Sequence, residues 1–244
     1  MPFDLATLDE PFAALVTYDW SADAAPLAAI DAAVVGAWSD PSLRGELEKR
    51  LAAILGPATS RAAKEYACRT LMMIGTAASV PALAAHLGDA DHSHMARFAL
   101  ERIPGPEAAA ALRDALGRVT GDLAIGVISS LAARGDADSV PALARLLSGE
   151  PRVAAAAAGA LATLHTPEAL AALSAADPFA GDGLGGAVVD ARLACAESLL
   201  AAGRTSEARA VYQALAAAAS GKPEAKAVEL AATRGLLACL EPKG

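Results

Sequence analysis

The sequence predicts an all-α protein, an α-solenoid of right-handed α-α superhelical type built from stacked helix pairs. Three observations carry this. The hydrophobic fraction is 55% while aromatics are only 4%, so the apolar content is mostly Ala and Leu. Those residues head the helix-propensity scale, because Ala loses no side-chain entropy in a helix and Leu loses little. Apolar residues recur at i, i+3 and i+4, as in Met95, Phe98 and Ala99, the spacing of one helix face. Finally, the chain repeats itself about every thirty residues, which is the signature of a repeat architecture.

The elements follow in order. Residues 7–17 and 25–38 read as two helices joined by Tyr18–Asp23. A solenoid needs ends that cover its open apolar face, so 1–40 is expected to be an N-terminal cap, anchored by burial of Trp20 and Trp38.

The repeats occupy 41–173. Ser79-Val80-Pro81-Ala82-Leu83-Ala84 recurs as Ser139-Val140-Pro141-Ala142-Leu143-Ala144, 60 residues later, with Glu107–Leu112 in the equivalent place between them. Each unit closes on a helix carrying Leu71, Leu100, Leu131 or Leu161, spaced 29, 31 and 30 apart. Four units are read, roughly 41–75, 76–105, 106–135 and 136–166. Pro81 and Pro141 fall in first turns, where a missing N–H costs nothing. Asp89, Asp91 and Ser93 are expected N-caps. Gly75, Gly105 and Gly135 are expected to take the left-handed conformation that ends helices. His165 replaces that Gly in the fourth unit, with Thr166-Pro167 supplying the break.

Residues 174–186 interrupt the pattern. Gly181-Asp182-Gly183-Leu184-Gly185-Gly186 formally matches the dinucleotide fingerprint GxGxxG. That fingerprint requires a preceding strand and a βαβ unit, and Asp177-Pro178-Phe179-Ala180 is no strand, so a flexible loop is expected. Helices are then read over 187–203 and 205–219, around Gly203-Arg204, and a closing helix over about 223–240.

At the level of these motifs the chain resembles the HEAT-repeat family. The family's first helix carries Val-Pro-x-Leu, as at Val80–Leu83. Its second reads Val-Arg-x-x-Ala-Ala-x-Ala-Leu-x-x-Ile-Gly, to which Arg61–Gly75 and Arg152–Leu164 are similar. The chain also resembles stand-alone bacterial HEAT-repeat proteins of Planctomycetes type. Residues 187–244 are similar to a TPR hairpin with a capping helix, through Ala194, Leu199, Gly203, Ala208 and Tyr212, although the usual TPR Trp is absent.

A net charge of −8 speaks against a general nucleic-acid binder, which carries a basic footprint. No 18-residue apolar run suggests a membrane span, and the N-terminus lacks a signal-peptide pattern, so a cytoplasmic protein is expected. Cys68, Cys195 and Cys239 form neither a disulfide framework nor a CxxC pair; each is expected to be a buried apolar residue. GxSxG, P-loop and HExxH signatures are missing, so neither an enzyme nor a cofactor is expected. His86, His92 and His94 cluster in a turn and form a weak metal candidate, since a helical i, i+2 pair points to different sides.

The resemblance implies that second helices line a concave face. Arg61, Lys64, Arg69, His94, Arg97, Arg134 and Arg152 lie on or beside those helices. They form a candidate strip for an acidic peptide or another protein, because Arg pairs with carboxylates in bidentate fashion. Glu65, Glu101 and Asp122 are the acids able to neutralise it. The expected role is a non-catalytic interaction or scaffolding module. The alternatives are a HEAT-like enzyme of bilin lyase or DNA glycosylase type, and a permanent subunit of a larger complex.

Overall fold

The computed structural model describes residues 4–181 and 183–240. Asp182 of the Gly-rich motif lies outside them. The described residues contain fourteen α-helices and four short 3-10 turns, with no strand, and none of the helices is long and apolar enough to cross a membrane. The chain divides into two compact units, 1–134 and 135–244.

The first unit holds α1 (Asp9–Val16), α2 (Ala25–Gly36), α3 (Pro41–Ile54), α4 (Arg61–Ile74), α5 (Val80–Ala84), α6 (Ser93–Arg102), α7 (Pro106–Leu116) and α8 (Gly121–Ala133). Helices α3, α5 and α7 pack on one another in sequence, and so do α4, α6 and α8. Adjacent pairs close the sandwich, giving two layers of helices. The residues between the layers are the periodic ones: Leu47, Leu51, Leu71, Leu83, Leu100, Leu112 and Leu131 are fully buried. Each such leucine contributes roughly 1.5–3 kcal/mol by leaving water, which is what makes each helix pair depend on its neighbours.

The helix starts are chemically specified. Asp40 accepts hydrogen bonds from the Ser42 and Leu43 N–H groups at 3.0 and 3.1 Å, with Pro41 in the first turn of α3. Ser60 Oγ accepts from the Ala63 N–H at 3.1 Å at the start of α4. Such caps satisfy donors that the helix itself leaves orphaned. Three arginines serve the opposite ends, donating to carbonyls that C-terminal helix turns leave without partners. Arg44 donates to Ile74 O at 2.7 Å. Arg134 donates to Leu100 O, to Ile103 O at 2.8 Å and to Gly105 O at 2.9 Å. In the second unit, Arg209 donates to Cys239 O at 3.1 Å. The buried Glu48 carboxylate of α3 accepts from the turn between α4 and α5: from Thr76 N–H at 2.6 Å, Thr76 Oγ1 at 2.9 Å and Ser79 N–H at 3.1 Å.

The second unit holds α9 (Val140–Leu146), α10 (Pro151–Leu164), α11 (Pro167–Ala175), α12 (Leu184–Ala201), α13 (Thr205–Ala219) and α14 (Lys226–Ala238). Glu150 and Thr166 cap α10 and α11. Helices α12, α13 and α14 share a core around Ala208, Tyr212, Leu215 and Ala232.

Several expectations are corrected. Trp20 and Trp38 do not anchor the cap by burial: they are 50% and 70% exposed, and Leu8, Phe12, Leu15 and Ile30 fill that core instead. Gly75 is extended (φ −62°, ψ 151°), not left-handed. It is glycine for space, because a Cβ there would lie 2.9 Å from Ile103 Cδ1 and against the Leu71 carbonyl. His165 itself takes the left-handed conformation (φ 54°). Asp89, Asp91 and Ser93 do not cap α6, whose N-cap position is His92 without a side-chain bond; Ser93 turns back to donate to Leu87 O at 3.0 Å. The loop is shorter than expected, since α12 already starts at Leu184. Gly185 is buried, and a Cβ there would lie 2.7 Å from Ala180 O.

Candidate functional site

The first unit carries a cleft of about 550 Å³ between α2, α4 and the turn that joins α1 to α2. Its walls include Trp20, Leu27, Asp31, Tyr66, Arg69 and Met73. The turn is held at both ends. Asp19 Oδ1 accepts from Ser21 N–H at 3.0 Å and from Ser21 Oγ at 2.9 Å, and these bonds hold the Asp19 carboxyl below its usual pKa. Ser60 donates its hydroxyl to Tyr18 O at 2.5 Å and its N–H to Val16 O at 2.9 Å. Trp20, between those anchors, is half-exposed and meets the Tyr18 ring edge-on at 5.7 Å.

The Arg69 guanidinium lies over the Trp20 ring, 4.5 Å from its centroid, within the range where a cation is drawn to an aromatic face. At the other wall, Tyr66 donates its hydroxyl to Asp31 Oδ1 at 2.7 Å. Burial, reinforced by that carboxylate, pushes the Tyr66 pKa well up, so the phenol stays a neutral donor. Thr70 Oγ1 donates to Tyr66 O at 2.9 Å. The cleft therefore has one cationic aromatic lip, an apolar floor and one anionic wall.

The other residues of the basic strip sit as follows. Arg61 is exposed and paired with Glu65 at 3.0 Å. Lys64 is half-buried on α4. Arg97 is turned into the fold: it donates to Gly126 O at 2.9 Å and Ser130 Oγ at 3.2 Å, and burial lowers its pKa against the pull of Glu101. Arg134 is committed to the end of α6, as described above. His94 lies 3.5 Å from Arg97 and edge-on to Phe98 at 4.6 Å. Arg152 is exposed at the start of α10, in the second unit. Of the six strip residues in the first unit, the structure brings only Arg69 to the cleft.

The histidines separate differently from the expected group. His86 and His92 come together with Asp89, one ligand atom from each lying within 4.8 Å of the others, while His94 faces Arg97 and Phe98. The missed residue is Asp89. Its signal was visible, since His86, Asp89 and His92 stand three residues apart in sequence. Asp31 and Tyr18 were missed for a different reason: nothing local links them to Tyr66 and Trp20.

The second unit has a cavity of about 320 Å³ whose lining includes His165, Leu170, Cys195, Ser198, Arg204 and Glu207. His165 Nδ1 donates to Thr163 O, so its Nε2 accepts from Ser198 Oγ at 2.8 Å. A histidine oriented by a carbonyl and bonded to a hydroxyl is a proton acceptor in the sense used by nucleophilic enzymes. The cationic group of that wall, Arg204, is taken up by a two-point pairing with Glu207 at 2.7 and 2.6 Å. Cys195 is buried, which raises its thiol pKa.

No protein-family model matches the chain, and none of the curated proteins compared with it is significantly similar.

Proposed function

We propose that the protein is a non-catalytic interaction module, a HEAT-like α-solenoid of right-handed superhelical type, working in the cytoplasm. Its partner is another protein, met through an extended segment that seats an apolar side chain in the cleft and an acidic group on Arg69. The observation that carries this reading is the half-exposed Trp20 held under the Arg69 guanidinium. Trp, Tyr and Arg are the residues over-represented at binding hot spots, because they combine large apolar area with a polar handle. Asp31 would repel a carboxylate placed on the Tyr66 side, so the acidic group belongs at the Arg69 end. The resemblance of Arg61–Gly75 and Arg152–Leu164 to HEAT second helices supports the architecture, and the three free, buried cysteines suit a reducing compartment.

The test is selection of peptides from a random display library on the whole protein, followed by calorimetry with wild type, Trp20→Ala and Arg69→Gln. Selected peptides should pair an acidic residue with a large apolar one. Each substitution should weaken binding about tenfold or more, as expected for a hot-spot contact above 1 kcal/mol. Equal affinity for all three proteins would refute the cleft as the binding site.

A further inference from the structure

We propose that His86, Asp89 and His92 form a binding site for a divalent transition-metal ion of the zinc class. This is independent of the peptide-binding reading. The site lies in the turn between α5 and α6, against the end of α3.

The protonation pattern of the two rings is dictated by their neighbours. His86 Nε2 lies 2.8 Å from Leu55 O. A carbonyl can only accept, so His86 Nε2 carries the proton and His86 Nδ1 keeps its lone pair. His92 Nδ1 lies 2.8 Å from Asp89 Oδ2. In the metal-free protein it donates to the carboxylate. A cation placed between the two displaces that proton, so that Nδ1 and the carboxylate oxygen both face the ion, since metal ligands bind in their deprotonated form.

The arrangement matches metal chemistry in three further respects. The imidazole rings lie edge-on with centroids 5.5 Å apart, so both present to one small volume. Each of the three residues places a ligand atom within 4.8 Å of the others. A tetrahedral ion with metal–nitrogen bonds of about 2.0–2.1 Å sets its ligands roughly 3.4 Å apart, a separation between the 2.8 Å from His92 Nδ1 to Asp89 Oδ2 and the 4.8 Å within which all three ligand atoms fall. Metal-binding histidines are commonly oriented through their second ring nitrogen by a carbonyl or carboxylate, and here the Leu55 carbonyl orients His86.

Two imidazoles and one carboxylate select Zn²⁺, Co²⁺ or Ni²⁺ over Mg²⁺ or Ca²⁺, which demand oxygen ligands. Three protein ligands leave one tetrahedral position for water. Bound there, the ion would fasten the α5–α6 turn to itself, and through the His86 hydrogen bond to the end of α3.

The experiment uses the full chain without a polyhistidine tag, freed of metal by a chelator. Co²⁺ titration should give visible absorption of a tetrahedral site, saturating at one ion per chain and displaced by Zn²⁺, and Zn²⁺ should raise the melting temperature where Mg²⁺ does not. His92→Gln and His86→Gln should each weaken Co²⁺ binding by about tenfold or more. His86→Gln keeps an amide donor for Leu55 O, so it preserves the turn if His92→Gln disturbs it, as checked by unchanged helical circular dichroism. Wild type without a saturable cobalt spectrum, a folded His86→Gln protein binding as wild type does, or an equal response to Mg²⁺ would each overturn the proposal.

Discussion

Tyr212 on α13 occupies the space that a side chain at Gly235 on α14 would need. A Cβ built at Gly235 falls well inside 3.0 Å of three atoms of the Tyr212 ring, and that ring is buried in the core shared by α12, α13 and α14. It has no room to swing aside.

Gly235→Ala is therefore expected to destabilise the second unit by roughly 1–3 kcal/mol, the usual cost of overpacking. Gly159 in α10 gives the opposite expectation, since a Cβ there meets nothing within 4 Å. Gly159→Ala should stabilise by about 0.5–1 kcal/mol through helix propensity alone. Thermal or denaturant melts of both variants should shift in opposite directions; a Gly235→Ala protein as stable as wild type would mean that α13 and α14 do not pack as described, and a destabilised Gly159→Ala protein would mean that the α10 position is not open.

Arg69 and Arg134 are expected to divide binding from stability. Arg134 donates to the carbonyls that end α6, and hydrogen bonds from a charged group are worth about 1.5–3 kcal/mol. Arg134→Gln should lower the denaturation midpoint while leaving peptide affinity within about twofold of wild type, since its guanidinium is turned to the backbone. Arg69→Gln should do the reverse. Urea melts and calorimetry on the same two proteins check both halves.

Cys68 is expected to be inert in the native protein. It is 3% exposed, and burial, with Glu65 nearby, pushes its thiol up to about 12. At about pH 8 a thiol of that pKa is thiolate in roughly one molecule in ten thousand, against about a quarter for a free cysteine near 8.5. A disulfide reagent should label it only after denaturation. The sign of the linked stability follows. A folded pKa above the unfolded one means that the contribution is whole below about 8.5. It is lost as pH rises from there through about 12. Native labelling as fast as a free thiol would mean that α4 opens readily.

The layered helices were legible in the sequence because their signal is local and periodic. Leu71, Leu100, Leu131 and Leu161 recur about every thirty residues, all four are fully buried, and Pro81 and Pro141 do stand in first turns. Helices are also present on either side of Gly203, as α12 and α13, with Ala208 and Tyr212 in their shared core. What the sequence by itself determined is thus the helical class, the spacing of the helices and most of their inward faces, since helix periodicity needs only neighbours along the chain. Only the tertiary structure decided where polar groups find partners. It turned Arg97 and Arg134 inward to carbonyls some thirty residues away, left Trp20 outside under Arg69, and set Asp89, not His94, beside His86 and His92. A hydrogen bond or a cation–aromatic contact depends on a few ångströms between distant segments, and no pattern within a single helix encodes that distance.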